Sequence, residues 1–208
     1  DHYNDPERAK FYEQHRVLLG LLALSAGAAG LLIAAVLGPM PFATLLVMSL
    51  LGLSYNLRIL PPGLRGGRCT RIRDIPGSKT FLIALAWGLV TSVLPALAEG
   101  GRPAATFPAL VWATGMAFVR TAFFDLLDIQ GDRIFGKETL PVVMGEAAVL
   151  RLLKWLLLGL ALLPPAASLL GLATGLGWIL PLCPLLLGGV MAAHAKGRIL
   201  PGIRLEFT

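Results

Sequence analysis

Residues 17–38 read VLLGLLALSAGAAGLLIAAVLG, an apolar run without a single charge. A helix needs about 20 predominantly apolar residues to cross a hydrocarbon core of about 30 Å, and this stretch has that length. Five further stretches have the same character, roughly 41–57, 80–98, 104–127, 147–171 and 176–195, of which the first is the shortest. The whole chain of 208 residues is 56% hydrophobic and 14% charged, with a mean hydropathy of +0.74. A globular domain carries about 25% charged residues. So few charges cannot clothe a water-facing surface, which excludes a cytosolic enzyme, a disordered tail and a disulfide scaffold. The fold class is therefore all-α, a polytopic transmembrane helical bundle with six spans visible. Small-residue clusters, Ala26 to Gly30 and Gly188-Gly189, suit close helix packing. Pro164-Pro165 and Pro181 to Pro184 fall inside apolar runs, where neighbouring helices must satisfy the freed carbonyls.

The segment ahead of the first run, DHYNDPERAKFYEQHR, is polar and carries no signal-peptide pattern. If the six spans alternate in direction, one side of the membrane receives this segment, the 58–79 loop, the 120–146 region with Arg151 and Lys154, and the C-terminal tail. Of the 18 Lys and Arg, all but Arg102 then lie on that side. The positive-inside rule assigns it to the cytoplasm, so the net charge of +6 is first a topology signal and no basic domain exists to bind nucleic acid. Of the 12 acidic residues, all but Glu99 lie on the same side. Orientation does not require this, because acids contribute little to it. Acids gathered within a basic face suggest a site that handles a metal and an anion together. Cys69 and Cys183 are too few and too far apart for a metal cluster.

The acids concentrate in one passage, Arg120-Thr-Ala-Phe-Phe-Asp125-Leu-Leu-Asp128-Ile-Gln-Gly131-Asp132-Arg133, which continues through Gly136 to Thr139-Leu140-Pro141. At about 100° per residue, Asp125 and Asp132 fall within about 20° of each other on a helix, with Asp128 between adjacent turns on the same side. A row of carboxylates at the end of a transmembrane helix repels itself and is costly there. A divalent cation with oxygen preference removes the conflict, and Mg²⁺ characteristically shares its coordination with water and substrate phosphate. The plain alternative is a solvated helix end. An EF-hand is excluded, because its spacing is missing. Gly131, Gly136 and Pro141 predict that the helix breaks and the chain turns, and Gly145 predicts another turn before the next span.

The run D-x-x-D-x-x-G-D-x-x-x-G-x-x-T-L-P-V from Asp125 to Val142, closed by Gly145, resembles the second aspartate-rich motif of the UbiA superfamily of intramembrane prenyltransferases. Tyr55-Asn56-Leu57-Arg58 resembles the tyrosine-plus-basic signature that ends an earlier helix of that family, and Pro76-Gly77-Ser78-Lys79 with Ala86-Trp87-Gly88 resembles the start of its next helix. The resemblance implies a nine-helix fold around a central cavity, with two aspartate-rich motifs at the cytoplasmic mouth. The first motif would fall just before the first span, where Asp1 is read as its last carboxylate; Asp5-Pro6 reads otherwise as an ordinary helix start. The chain begins with Asp1 rather than Met, and the family pattern is interrupted at both ends. Residues 1–208 are therefore expected to form a partial single domain, about two-thirds of the whole, lacking two helices in front and one behind.

The resemblance also implies a function: transfer of an isoprenyl group from a polyprenyl diphosphate to an aromatic or hydrophobic lipid acceptor, in quinone or lipid biosynthesis, with Mg²⁺ as cofactor. The enzyme would be multi-pass in the inner, cytoplasmic membrane, its site facing the cytoplasm, with the bilayer and its two substrates as partners and no obligate protein partner. Asp125, Asp128 and Asp132, with Asp1, would hold the metal. Lys79 and Arg58 would contact the diphosphate, as point charge and fork respectively, with Tyr55, Asn56 and Arg120 beside them. Each has a plainer reading: Arg58 as a headgroup charge, Lys79 as a flanking anchor, Arg120 as a snorkelling side chain, Tyr55 as an interfacial residue and Asn56 as a helix cap. The four Trp residues read as packing or interface residues, and His2, His15 and His194 are given no role. Two other classes stay in view. A CDP-alcohol phosphotransferase also sets aspartates at a membrane face, but its D-G-x-x-A-R opening is missing; a transporter with an acidic mouth would move substrate without chemistry.

Overall fold

The computed structural model describes residues 6–55, 75, 77–134, 136 and 138–195, and within these every regular element is helical. A short polar helix, α1 (Pro6–Gln14), leads into α2 (Arg16–Leu37). Gly38, at φ 137°, then turns the chain directly into α3 (Pro39–Ser54), whose first residue is a proline that needs no intrahelical N–H. The long rising segment Ser78–Ala98 is built from α4 (Ser78–Gly88), a π-helical turn at Leu89–Val93 and α5 (Leu94–Ala98). Pro95 accounts for the widened turn, since it cannot donate to the carbonyl of Thr91 and its ring would clash there. The chain returns through α6 (Pro103–Leu127), passes α7 (Ile129–Ile134) and α8 (Leu140–Met144), and rises again as α9 (Glu146–Leu169). A 3₁₀ turn at Gly175–Trp178 and α10 (Leu182–Ala195) complete the described residues.

Five segments are long and apolar enough to cross a membrane: Arg16–Leu37, Ser78–Ala98, Pro103–Leu127, Glu146–Leu169 and Gly175–Ala195. These match five of the six expected spans to within two residues at each end. The sixth, α3, has 16 residues, about 24 Å at 1.5 Å per residue, and falls short of a hydrocarbon core. Its expected extension to residue 57 lies outside the described residues. The last span is not one continuous helix. Pro181 precedes α10 and Pro184 occupies its first turn, so the prolines act as helix starters rather than as kinks within it. The chain is a multi-pass membrane protein with an all-α bundle.

The core lies where α6, α9 and α10 meet. From α6 come Val119, Ala122, Phe123 and Leu126; from α9, Val149, Leu153, Leu157 and Leu160; from α10, Leu187 and Met191. The α9 spacings of three and four residues mark a single buried stripe. Much of the remaining surface is large and apolar, as on Leu24, Val36, Trp87, Leu158 and Leu186, as expected of side chains that face lipid tails. Lipid tails are as apolar as Leu, so close fit rather than water exclusion holds such helices together. The sequence supplies that fit with glycines. A Cβ on Gly115 of α6 would meet Leu160 of α9 at 2.6 Å, and one on Gly88 would run into the Thr114 hydroxyl of α6. Of the small-residue clusters expected to do this work, Gly27 has nothing within 4 Å and Gly188 makes only ordinary contact with Leu157, so the tight crossings lie at other glycines.

Candidate active site

Alternation of the helices brings the end of α3, the start of α4 and the end of α6 to one end of the bundle. Gly77, at φ 74°, begins α4 in the left-handed conformation that favours glycine. It packs so closely on α8 that an added Cβ would lie 2.9 Å from Leu140. This contact carries Ser78, Lys79 and Thr80 to the region of the aspartates.

The aspartate passage is not one unbroken helix. The expected break at Gly131 is instead at Asp128, which ends α6 with φ −91° and ψ 8°, while Gly131 lies within α7. The backbone N–H of Asp132 still donates to the Asp128 carbonyl at 3.0 Å, so the helical turn is nearly preserved across the break. Asp125 is 7% exposed and Asp132 5%, whereas Asp128 is exposed. Helical geometry explains the difference. Asp132 returns to within about 20° of Asp125, but Asp128 is about 60° away and reaches the rim. Gly136 at φ 63° and Gly145 at φ 82° form the two turns expected of them, and Pro141 is buried in the first turn of α8.

Asp125 accepts a hydrogen bond from Thr80 Oγ1 at 2.6 Å, and Thr80 is itself only 1% exposed. Asp125 and Asp128 also stand at the C-terminal end of α6, where the helix dipole disfavours negative charge. A cation at this end would offset the dipole. Among the described residues no group of three His, Cys, Asp or Glu side chains is arranged to hold a metal ion. Among the described residues, the donors therefore form no all-protein cage. They do fit Mg²⁺ bound through one or two carboxylates and completed by water and phosphate oxygens.

The cationic residues divide. Lys79 is exposed and, with the half-buried Tyr55 at the end of α3, lines a pocket of about 420 Å³ between α3 and α4. Its other walls are apolar, among them Met48, Leu51, Leu82 and Ala86. Arg120 is exposed one turn before Asp125, with its guanidinium 5.1 Å from the centre of the Phe124 ring. Asn56, Arg58 and Asp1 lie outside the described residues. Sequence reasoning missed Thr80, because its partner is 45 residues away and no local spacing reveals the pair. His194, given no role, meets the Phe123 ring at 5.7 Å with the two rings nearly perpendicular.

A family model described as the UbiA prenyltransferase family matches residues 15–199. A digeranylgeranylglyceryl phosphate synthase from Methanopyrus kandleri is 40% identical over 85 residues, which is 39% of this chain and 29% of that protein. The match thus spans less than a third of that relative's length. No solved structure matches the chain.

Proposed function

We propose, from the premise that this chain belongs to the UbiA prenyltransferase family, that its protein moves an isoprenyl group from a prenyl diphosphate to an acceptor within the membrane. The observation that carries this reading is the pair of buried carboxylates, Asp125 and Asp132, at the end of an apolar helix, the first of them bonded to Thr80 next to Lys79. Buried acids in a membrane protein are costly and mark a function. Residues 1–208 are taken as one transmembrane domain.

In such a transfer the bond between the allylic carbon and the diphosphate oxygen breaks, and its electron pair leaves with the diphosphate. The acceptor's nucleophilic atom forms the new bond to that carbon and gives up its proton. Bound Mg²⁺ would supply charge neutralisation for the departing diphosphate. Asp125 and Asp132, with Asp128 at the rim, would hold it. Lys79 would bind the diphosphate as a mobile point charge, and Arg58 and Arg120, with Tyr55 and Asn56, would add further contacts to it. The apolar walls of the Lys79 pocket would take part of the isoprenyl tail and keep water from the allylic cation. Asp1, outside the described residues, would add a further acid to the metal site, and the basic loops support a site that faces the cytoplasm.

The name of the Methanopyrus relative directs the choice of acceptor. We infer a glyceryl phosphate lipid rather than an aromatic ring, which places the enzyme in membrane lipid formation rather than quinone formation. The test uses the full-length protein in lipid nanodiscs with a radiolabelled prenyl diphosphate. Product should form with a prenylated glyceryl phosphate, should require Mg²⁺, and should be lost in Asp125→Ala and Asp132→Ala. Full activity in both variants overturns the assignment of the site, and transfer to an aromatic acid alone overturns the choice of acceptor.

A further inference from the structure

Threonines in the helices of this protein usually spend their hydroxyl locally. Thr44, Thr91, Thr106 and Thr121 each donate to the backbone carbonyl four residues earlier. Thr80 does not. Its Oγ1 crosses from α4 to α6 and donates to Asp125 Oδ2, with both residues buried. A threonine on a helix divides between two χ1 rotamers, depending on whether its hydroxyl turns back to a carbonyl of its own helix, and the Thr80 hydroxyl is directed at α6 instead. The terminal torsion of an aspartate is soft about χ2, so one short bond is enough to fix the plane of the Asp125 carboxyl.

We propose that Thr80 is a positioning residue, whose hydroxyl holds the Asp125 carboxylate in the orientation needed to bind the metal–diphosphate unit; this rests on the reading of Asp125 as a metal-binding acid. With Oδ2 tied to Thr80, the rotation of the carboxylate is fixed. The same bond sets the distance between two parts of the site. Lys79 is the residue next to Thr80 and heads the pocket between α3 and α4, while Asp125 starts the acid row on α6. A shift of α4 along α6 would change the separation of cation and carboxylates, and the Thr80–Asp125 bond resists it. Gly77 against Leu140 supports that register at the start of α4, and Gly88 against Thr114 supports it at the end.

The test compares Thr80→Val, which keeps the shape and removes the hydroxyl, with Thr80→Ser, which keeps the hydroxyl. Binding of Mn²⁺ in the presence of inorganic diphosphate is followed by electron paramagnetic resonance on the full-length protein in nanodiscs. Thermal unfolding without metal is measured in parallel, and Thr80→Ala replaces Thr80→Val if the latter does not fold. Groups that orient a metal ligand are typically worth about 10–100-fold in affinity. Thr80→Val should therefore weaken Mn²⁺ binding by about 10-fold or more, Thr80→Ser should stay near wild type, and raised Mg²⁺ should restore turnover in Thr80→Val. Asp125→Asn separates the two ideas. If it leaves Mn²⁺ binding unchanged, Asp125 holds no metal and the underlying reading fails. If it removes binding while the folded hydroxyl-free variant binds like wild type, the reading stands and the positioning role is overturned. A defect in the hydroxyl-free variant that Thr80→Ser shares, or that added Mg²⁺ does not relieve, also overturns it.

Discussion

Gly77 is the residue on which the geometry of the site turns. Its φ of 74° strains any L-residue, and an added Cβ would lie 2.9 Å from the Leu140 side chain. An L-residue in the left-handed region costs about 1–2 kcal/mol, and the Cβ would also press on Leu140. Gly77→Ala should lower thermal stability by at least that amount and reduce turnover, because the start of α4 carries Lys79 and Thr80. Pairing it with Leu140→Ala should recover the steric part and leave the conformational part. Equal stability of Gly77→Ala and wild type in a thermal melt would show that α4 starts differently. The identity of this glycine was visible in the sequence beside Lys79, but its contact is 63 positions away and was not.

At the level of elements, the crossing of α6 and α9 depends on Gly115 facing Leu160. In a bilayer, helix association rests on packing, so bulk at this point has no solvent effect to offset it. The end of a leucine side chain can move a little, and Gly115→Ala should be tolerated. Gly115→Val should separate the helices and lower the unfolding temperature, and Leu160→Ala should partly restore it in a double-mutant cycle. Additive losses would mean that the two residues do not meet. Two turns earlier on the same α9 stripe, Leu153 is fully buried. Leu153→Ala should cost about 2 kcal/mol from the cavity alone, measured by reversible unfolding in detergent micelles.

At the level of the whole molecule, alternating spans and the distribution of Lys and Arg predict orientation. Arg102 precedes α6 and Lys154 lies near the start of α9, at opposite ends of the bundle. With Cys69 and Cys183 replaced by Ser, Arg102→Cys should react with a membrane-impermeant maleimide in intact cells. Lys154→Cys should react only after the membrane is opened. The reverse pattern would turn the aspartate site away from the cytoplasm.

Much of this was legible in the sequence. The spans follow from apolar length, since about 20 residues without charge have few stable places outside a bilayer, and their ends were found to within two residues for five of six. The aspartates were legible because a helical repeat is a local property: spacings of three and seven already place Asp125 and Asp132 on one face. The break at Asp128 was not, because Gly131 looked like the weaker point of the helix and yet fits within α7. Nor were the partners of these residues. The bond from Thr80 to Asp125, the seat of Gly77 on Leu140 and the pocket shared by Tyr55 and Lys79 each join helices far apart in the chain. Local periodicity carries no record of such pairs. The sequence by itself determined which segments cross the membrane and which residue types stand at their ends. Only the packing of α4 against α6 and α8 decided that Asp125 is held by Thr80.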